Sequence, residues 1–316
     1  MYYLLLSQYS QGIIRSKISG SAQPGLKSDF IRHFPITLPT SIIEQSKISE
    51  ILLIMDYAIE ITKDLILKQC QVKTGFLQDQ LTSGIDENGQ IRNSNSHKYK
   101  HSPFGPIPEE WEISTLERIS HRITSGSRWW AKYYSDIGAK FIRIGNLTRE
   151  HINLKLDDIQ HVHPPVGSEA QRTALEYGDL LISITADLGI IGVVPVDLGE
   201  SYINQHIALV KLNKEIVNPW WVGNFLSGTE AQKQISMLNE SGAKAGMNLK
   251  TIADFPIILP KKSEQDEIAE IIRQIDVQIQ TKKEYLAKLQ RLRFGLMQDL
   301  IGGRISVLSI LTQIRG

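Results

Sequence analysis

Phe34-Pro35-Ile36-Thr37-Leu38-Pro39, followed by Glu44-Gln45, returns later in the chain as Phe255-Pro256-Ile257-Ile258-Leu259-Pro260, followed by Glu264-Gln265. From the Glu-Gln pair onward the register is fixed at 220 residues (264 − 44). The residues that recur in this register are Glu50, Asp56, Ile59, Lys63, Lys68, Gly75, Gln78, Asp79 and Ile85, matched by Glu270, Asp276, Ile279, Lys283, Lys288, Gly295, Gln298, Asp299 and Ile305. Since solenoid repeats have periods of about 20–50 residues, this chain instead contains two copies of one large module.

Each repeated stretch has the apolar spacing of a coiled-coil seam, alternating between four and three residues. The predicted seam residues are Ile48, Leu52, Met55, Ile59, Thr62, Ile66 and Gln69 in the first copy, and Ile268, Ile272, Ile275, Ile279, Lys282, Leu286, Leu289 and Leu296 in the second. Pro39 and Pro260 lie just before the helices, whereas Gly84 and Gly302-Gly303 are typical stop signals. We therefore expect two helices of about 40 residues, each about 60 Å long, that pair within the chain; the pattern leaves their relative direction open.

The first helix carries a second apolar line, which makes its apolar face wider than a two-stranded seam requires. Its residues are Ile51, Ile54, Ala58, Ile61, Leu65 and Val72. We predict that Ile51, Ile54, Ile61 and Leu65 bind a partner protein. The alternative is that the same line packs on a neighbouring domain of this chain.

Composition is that of a globular protein with room for about two domains in 316 residues. No apolar span approaches the roughly 20 residues of a membrane helix, and Met1–Leu6 lacks the basic region of a signal peptide. The single cysteine, Cys70, is typical of a reducing compartment, so a cytoplasmic protein without membrane contact is expected. The net charge of +1 argues against bulk electrostatic binding of nucleic acid but allows a local basic face.

Between the helices, residues 86–103 have the composition of a linker, and a globular domain follows over residues 104–260. Short apolar runs predict strands at Phe141–Ile144, Asp179–Ile184, Ile190–Val194 and Ile207–Leu212, and a helix at Trp220–Leu238. Residues 1–40 echo only the end of this domain, because nothing in the chain matches Phe104–Asn218.

Motifs for catalysis are weak. Asn218-Pro219-Trp220-Trp221 lacks the second proline of the amino-methyltransferase signature, and helix capping explains it better. No Gly-x4-Gly-Lys-Ser/Thr loop is present to hold a nucleotide. His161-x-His163 and His97-x3-His101 have no further ligand at a recognised metal spacing. We therefore predict a non-catalytic chain without a cofactor of its own.

Binding motifs are stronger, above all in the stretch from Ser125 to Tyr134. This glycine-containing loop combines hydroxyl groups, cations and aromatic rings, which suit phosphate, guanine and sugar contacts. The candidate DNA-binding residues in it are Ser127, Arg128, Trp130, Lys132 and Tyr133. The alternative is that Trp130 and Tyr133 anchor the core while Arg128 and Lys132 point to water.

Four further candidates carry side chains that fit base edges: Arg143, Asn146, Asn204 and Gln205. Asn204 and His206 could equally close turns. Lys244, in the flexible Ser241–Gly246 stretch, is the last DNA-binding candidate, although this stretch could be only a connector.

The layout resembles the specificity subunit of type I restriction-modification systems. The motifs that carry the resemblance are Gly105-Pro106-Ile107-Pro108-Glu109-Glu110-Trp111, Phe141-Ile142-Arg143-Ile144-Gly145-Asn146-Leu147, Tyr177-Gly178-Asp179-Leu180-Leu181-Ile182-Ser183 and Leu296-Met297-Gln298-Asp299-Leu300-Ile301-Gly302-Gly303, together with the doubled Leu-Pro and Glu-Gln pattern. The resemblance implies an α+β fold, in which a mixed target-recognition domain accompanies two conserved helices paired as an antiparallel coiled coil. It further implies a non-catalytic subunit that reads half of a split site in double-stranded DNA and docks methyltransferase subunits through its helices. S-adenosylmethionine is then expected in the methyltransferase partner, and the restriction subunit joins through the complex.

On this interpretation residues 1–40 are the remnant of a first recognition domain, 41–85 and 261–303 are the conserved helical regions, and 86–103 is the linker. Residues 104–260 are the second recognition domain, and 304–316 are a C-terminal tail. Three accounts of the incomplete first domain stay open: a truncated or frameshifted gene, an artificially shortened chain, or a subunit that forms a homodimer with two reading heads. The alternative function is a degenerate scaffold that binds the methyltransferase without reading DNA.

Overall fold

A computed structural model describes residues 1–18, 25–93, 95, 97–126, 128–240 and 247–308 of the chain. The helices are α1 (Tyr2–Leu6), α2 (Gln8–Lys17), α3 (Ser28–Arg32), α4 (Ile42–Thr82), α5 (Ser168–Thr173), α6 (Pro219–Ser227), α7 (Thr229–Glu240), α8 (Leu249–Ala253) and α9 (Lys262–Leu296). The strands are β1 (Tyr99–Ser102), β2 (Gly105–Pro108), β3 (Glu112–Thr115), β4 (Ser120–Ser125), β5 (Tyr134–Ser135), β6 (Ala139–Ile142), β7 (Gln160–Val162), β8 (Leu180–Ser183), β9 (Ile191–Val193), β10 (Ser201–Ile203), β11 (Ile207–Leu212) and β12 (Pro256–Leu259). Two compact units result: unit 1 comprises Met1–Gln71 and Asp276–Gly316, and unit 2 comprises Val72–Ile275.

The two long helices run antiparallel. In unit 1, the first turns of α4 share an apolar cluster with the turn that follows α9, through Ile48, Leu52 and Met297. Further along, Arg293 forms an ion pair with Asp56. Residues with higher numbers in α4 therefore contact residues with lower numbers in α9 and in the turn after it. Every predicted seam residue is buried or half-buried, so the predicted coiled coil is confirmed and its direction is antiparallel.

Unit 2 contains two four-stranded sheets. One is antiparallel with the order β4-β11-β8-β9, and the other is mixed with the order β10-β6-β7-β5. A β1-β2 hairpin and a β3-β12 pair complete the strands of the described residues. The main core holds Trp111 and Trp221, both 0% exposed, with their rings edge to face at 5.8 Å. The fold is therefore α+β, as predicted.

Most predicted elements of this domain are present, with two corrections. The predicted Trp220–Leu238 helix is broken at Gly228 into α6 and α7. The 86–103 stretch is not a linker throughout, because Tyr99–Ser102 forms strand β1 against β2. The polar composition of Tyr99–Ser102 did not predict a strand, because an edge strand of a hairpin needs few apolar side chains. The other predicted strands fall on β6, β8, β9 and β11.

The N-terminal helices repeat the end of unit 2 in order: α1, α2 and α3 correspond to α6, α7 and α8. The next segment differs, however. Pro256–Leu259 forms β12 by pairing with β3, whereas the matching Pro35–Leu38 is not a strand. A strand requires a partner for its backbone groups, and unit 1 has no described counterpart of β3. Among the described residues, no helix is long and apolar enough to cross a membrane.

Candidate nucleic-acid interface

Four strands of unit 2 end at one common edge. β11 begins at Ile207, which pairs with Ser183, the last residue of β8; the next residue of β11 pairs with Ser125, the last residue of β4. In the neighbouring sheet, β10 and β6 run parallel and end side by side at Ile203 and Ile142. The segments that follow these strands include three of the four predicted recognition stretches; the fourth, Ser241–Gly246, lies outside the described residues. We call the described residues of this region, namely Gly126, Arg128 to Tyr133, Arg143 to Asn146, Ile184 to Gly189 and Asn204 to His206, the recognition edge.

Gly126 fixes the start of the longest segment of the recognition edge. Its N–H donates to the Ile207 carbonyl at 3.0 Å, and the segment lies directly against the backbone of the β10–β11 turn. A Cβ at this position would lie 1.9 Å from the Asn204 carbonyl oxygen. The close approach therefore requires glycine, and it brings the predicted loop next to Asn204.

The two adjacent tryptophans of this loop have opposite surroundings. Trp130 is 2% exposed, and its ring stacks on Phe141 with centroids 5.6 Å apart. The prediction that Trp130 contacts DNA is therefore wrong, because its ring is part of the core. Trp129, which was not among the predicted contacts, is 85% exposed and has left-handed backbone geometry with φ = 63°. Such geometry costs about 1–2 kcal/mol for a residue with a Cβ.

The cations of the loop point to solvent. Arg128 and Lys132 are both exposed, and the Lys132 ammonium lies 4.9 Å from the centre of the Tyr133 ring. Tyr133 itself is half-buried and packs edge to face on Trp130 at 6.3 Å. Among the described residues of this loop, the exposed charged and aromatic groups are thus two cations and one indole ring, which lie next to the buried ring of Trp130 and the half-buried ring of Tyr133.

Helix α5 holds both ends of the loop through side chains that were not among the predicted site residues. At one end, Arg172 Nη1 donates to the Thr124 hydroxyl at 2.6 Å and to the Ser125 carbonyl. At the other end, the Trp130 indole N–H donates to a Glu169 carboxylate oxygen at 3.3 Å. No spacing rule connects residues that lie about 40 positions apart, so only the fold reveals this clamp.

Tyr202 packs in the same aromatic cluster as Trp130 and Phe141, and its ring lies 5.3 Å from that of Trp130. Its hydroxyl donates to Glu200 at 2.9 Å. Burial, followed by the neighbouring Glu200 carboxylate, raises the pKa of Tyr202. The phenol therefore stays protonated, and the exposed cations are the charged groups of the loop.

Arg143 and Asn146 follow β6, but only the arginine remains available. The Asn146 side chain is 3% exposed and accepts from the Arg143 N–H at 2.9 Å. Its amide donates to the carbonyls of Lys155 and Asp158 at 2.8 and 3.0 Å. The predicted adenine contact of Asn146 is therefore wrong, because this amide holds its own loop. Arg143 is half-buried, and its Nε is buried without a hydrogen-bond partner among the described residues.

In the turn between β10 and β11, the two predicted DNA-binding residues differ in exposure. Asn204 is 8% exposed, and its side-chain Oδ1 accepts from the His206 N–H at 3.2 Å. Its predicted base contact is wrong, because it closes the turn. Gln205 is half-buried, with its amide nitrogen 3.0 Å from His206 Nε2, and the other ring nitrogen lies 2.6 Å from the Thr185 hydroxyl. The chain Thr185–His206–Gln205 thus orients one amide at the recognition edge.

The neighbouring 184–189 segment contains Ala186, the other non-glycine residue with positive φ (60°) among those described. Arg149 braces this segment through a bidentate ion pair with Asp187 and a hydrogen bond to the Leu188 carbonyl at 2.8 Å. Strained backbone thus occurs twice at one edge, a pattern found where local geometry serves binding.

Two predicted residues, Ser127 and Lys244, lie outside the described residues. Within the described part of the chain, no group of three or more His, Cys, Asp and Glu side chains could hold a metal ion. Among its described residues, the recognition edge therefore offers cations, the Gln205 amide and one exposed tryptophan ring to a ligand.

A separate exposed face lies on α4 in unit 1. Ile54, Ile61 and Leu65 are 60%, 41% and 45% exposed, and Tyr57 continues the same helical line at 69%. Ile51 is different, because it is half-buried against the apolar cluster formed with the turn after α9. The prediction that Ile51 binds a partner is therefore corrected, while the other three residues form an uncovered apolar face.

Known proteins of similar sequence share this layout. The family model for the type I restriction modification DNA specificity domain matches residues 1–69 and 108–291. The putative type I restriction enzyme MjaX specificity subunit of Methanocaldococcus jannaschii is 26% identical over 312 residues, which cover 97% of this chain and 68% of the relative. The MjaVIII specificity subunit of the same organism is 22% identical over 318 residues, which cover 97% and 70%.

A solved structure has the same fold. The crystal structure of the type I restriction-modification S subunit from M. genitalium superposes with a TM-score of 0.63 at 17% identity, covering 95% of this chain and 71% of that chain. Since the family model spans most of the sequence, the chain belongs to the type I restriction-modification DNA specificity family, whose subunits are non-catalytic.

Proposed function

We propose that this chain reads one half of a split site in double-stranded DNA through the recognition edge and docks methyltransferase subunits through the exposed face of α4. The observation that carries the first part is the meeting of Arg128, Trp129 and Lys132 with Arg143 and Gln205 at the ends of neighbouring strands. Cations hold phosphates and define register, whereas arginine and amide groups discriminate base edges.

The division of labour follows from exposure. Arg128 and Lys132 are exposed on a loop and suit phosphate contacts, whose strength falls steeply with salt. Arg143 emerges from the fold with a partly buried side chain, so less conformational freedom is lost on binding. It suits a guanine contact, and Gln205 suits adenine. Trp129 offers a large rigid surface for sugars or thymine methyl groups.

The second part rests on Ile54, Tyr57, Ile61 and Leu65, which follow one another at helical spacing and stay exposed. An apolar helical line without cover marks a protein contact. S-adenosylmethionine would be bound by the methyltransferase partner, and the restriction subunit would join through that complex. The assembly would work in the cytoplasm. Two copies of this chain in one complex would present identical reading heads and favour a palindromic site.

The direct test is a binding selection from random duplexes, using this chain together with its methyltransferase partner. We expect one preferred half-site, and we expect Arg128→Ala and Lys132→Ala each to lower the salt slope by about 1. Arg118→Ala is the matched control, because Arg118 is exposed just before the opposite end of β4. Equal effects of all three substitutions would contradict the assignment of the loop. Co-purification with the methyltransferase without sequence preference would instead support the degenerate scaffold.

Trp129→Gly separates binding from folding. Glycine relieves the left-handed strain at this position, so the stability of unit 2 should hold or rise. Affinity for the selected half-site should fall by about 1–3 kcal/mol, the range for an aromatic contact at an interface. A variant that loses both stability and affinity would show that the exposed ring supports the fold and would remove it from the interface.

A further inference from the structure

The Thr185–His206–Gln205 chain of the recognition edge is anchored along its whole length. The backbone N–H of His206 donates to Asn204 Oδ1 at 3.2 Å, and its carbonyl accepts from the Ile184 N–H at 2.9 Å. Both ring nitrogens are also engaged: Nδ1 lies 2.6 Å from the Thr185 hydroxyl, and Nε2 lies 3.0 Å from the Gln205 amide nitrogen. The imidazole is therefore held through its backbone and through both ring nitrogens before any ligand binds.

Hydrogen-bond chemistry determines which ring nitrogen of His206 carries the proton. The amide nitrogen of Gln205 is a donor only, so His206 Nε2 must accept through its lone pair. A neutral imidazole has a single N–H, which is then at Nδ1 and donates to the Thr185 hydroxyl. The partner of one ring nitrogen thus sets the state of the other. Thr185 stabilises the tautomer that the Gln205 contact requires.

This tautomer decides which groups of the Gln205 amide stay available. Gln205 is half-buried, and His206 occupies one of its two amide N–H groups. The second N–H and the oxygen Oε1 are left for a ligand, and this donor and acceptor match N7 and the N6 amino group of adenine. If Nε2 carried the proton instead, it would occupy Oε1 and leave two N–H groups. Two donors match the N7 and O6 acceptors of guanine.

We propose that His206 is a positioning residue that makes Gln205 select adenine over guanine, and that Thr185 fixes the tautomer of the His206 ring. This role rests on the proposed reading of a half-site and adds the determinant of one base within it. His206 needs no contact with DNA, because it acts through the orientation of the neighbouring amide. A histidine that only closed the turn would change affinity for all sequences alike and leave the preferred base unchanged.

Binding selections from random duplexes, with the full chain and its methyltransferase partner, measure the base preference. Gln205→Ala should identify the position of the half-site that this side chain reads, and the parent chain should prefer adenine over guanine there by roughly 5- to 150-fold. Thr185→Val removes the acceptor for Nδ1–H and should shift this ratio toward guanine by at least about fivefold. Thr185→Ser is the matched control, because it keeps the hydroxyl and should keep the ratio. The other positions of the half-site should not change.

His206→Gln and His206→Asn form a second matched pair. The longer glutamine side chain reaches the place of Nε2, where its amide oxygen can accept from Gln205, so the adenine preference should survive. The shorter asparagine side chain reaches only the place of Nδ1 and can bond Thr185 but not Gln205, so the preference should be lost. Both variants keep the backbone hydrogen bonds of the turn. Equal base preferences in the two variants would overturn the proposal, as would a base other than adenine at the position that Gln205→Ala identifies.

NMR of the histidine ring nitrogens reports the tautomer in the full chain without DNA. At about pH 8, where an ordinary histidine is neutral, the His206 ring should have a protonated Nδ1 and an unprotonated Nε2, and Thr185→Val should lower the population of this tautomer. The signals are those that His206→Gln removes. A protonated Nε2, or an unchanged adenine preference in Thr185→Val, would overturn this role of His206 alone. Absence of any sequence preference in the parent chain would overturn it together with the proposed reading of DNA.

Discussion

Replacing Glu264 with alanine removes a carboxylate that three residues share in unit 2. It accepts from both terminal nitrogens of Arg92, at 2.5 and 3.1 Å, from the Trp111 indole and from the backbone N–H of Ile85 at 3.0 Å. Both charged side chains are only 9% exposed. Burial alone would lower the pKa of Arg92, but attraction by Glu264 outweighs it and raises the pKa.

The loss in the free energy of unfolding depends on which partners Arg92 keeps after the substitution. Loss of one partner from a buried ion pair costs about 3–5 kcal/mol, because the other charge stays buried. Glu110 still pairs with Arg92 Nε at 2.9 Å but is 41% exposed, so we expect the lower end, about 3 kcal/mol. With a urea m value of about 2–3 kcal/mol/M, the unfolding midpoint should fall by about 1–1.5 M.

Tryptophan fluorescence measures this unfolding selectively, because all five tryptophans lie in unit 2. The matched control is Glu44→Ala, which removes the equivalent carboxylate of unit 1 and should leave the fluorescence midpoint unchanged. A fall of less than about 0.3 M for Glu264→Ala, set against the m value above, would refute the reasoning. It would mean that the buried pair contributes no more than an exposed one.

Three further predictions concern separate parts of the chain. Gly126→Ala places a methyl group within 1.9 Å of a backbone oxygen and should cost unit 2 about 1–3 kcal/mol and weaken DNA binding. The control Gly75→Ala, in the part of α4 that belongs to unit 2, meets nothing within 4 Å and should do neither. Burial and then hydrogen bonding to Asp56 raise the pKa of Tyr3 to about 12. The stability that Tyr3 gives unit 1 should therefore be complete below about pH 10 and be lost as the pH rises to about 12. In Asp56→Asn, ultraviolet titration should show that the pKa of Tyr3 lies closer to its ordinary value. Ile61→Glu should abolish co-purification with the methyltransferase partner while the fluorescence midpoint of unfolding stays unchanged.

The sequence predicted best what periodicity encodes. Every predicted seam residue is buried or half-buried, because a helix repeats its buried face at a fixed spacing that survives in a single sequence; at the start of α9, however, Ile268 and Ile272 pack in the main core of unit 2. Direction came only from the family resemblance, since parallel and antiparallel seams share the same spacing. The predicted partner-binding line on α4 was wrong at Ile51, because this residue packs against the apolar cluster that α4 forms with the turn after α9.

Loops have no such periodicity, and several predictions for loop residues were wrong. Trp129 and Trp130 are adjacent and chemically identical, so sequence alone could not say which ring is exposed; the answer depends on the left-handed backbone of Trp129. Asn146 and Asn204 have the right chemistry for bases but satisfy nearby backbone groups instead. Short polar side chains commonly do so in turns, and the competing uses look alike in a sequence.

The repeat itself shows how far sequence determines local structure. Phe-Pro-Ile-x-Leu-Pro forms a strand in unit 2 and none in unit 1, although the following glutamine makes the same hydrogen bond to proline in both. The glutamine contact is local, so it forms wherever the sequence occurs. The strand is not local, because its stability depends on β3. Pro35–Leu38 keeps strand-forming residues and an exposed isoleucine, yet it forms no strand, because no described segment of unit 1 supplies the partner strand that β3 supplies in unit 2.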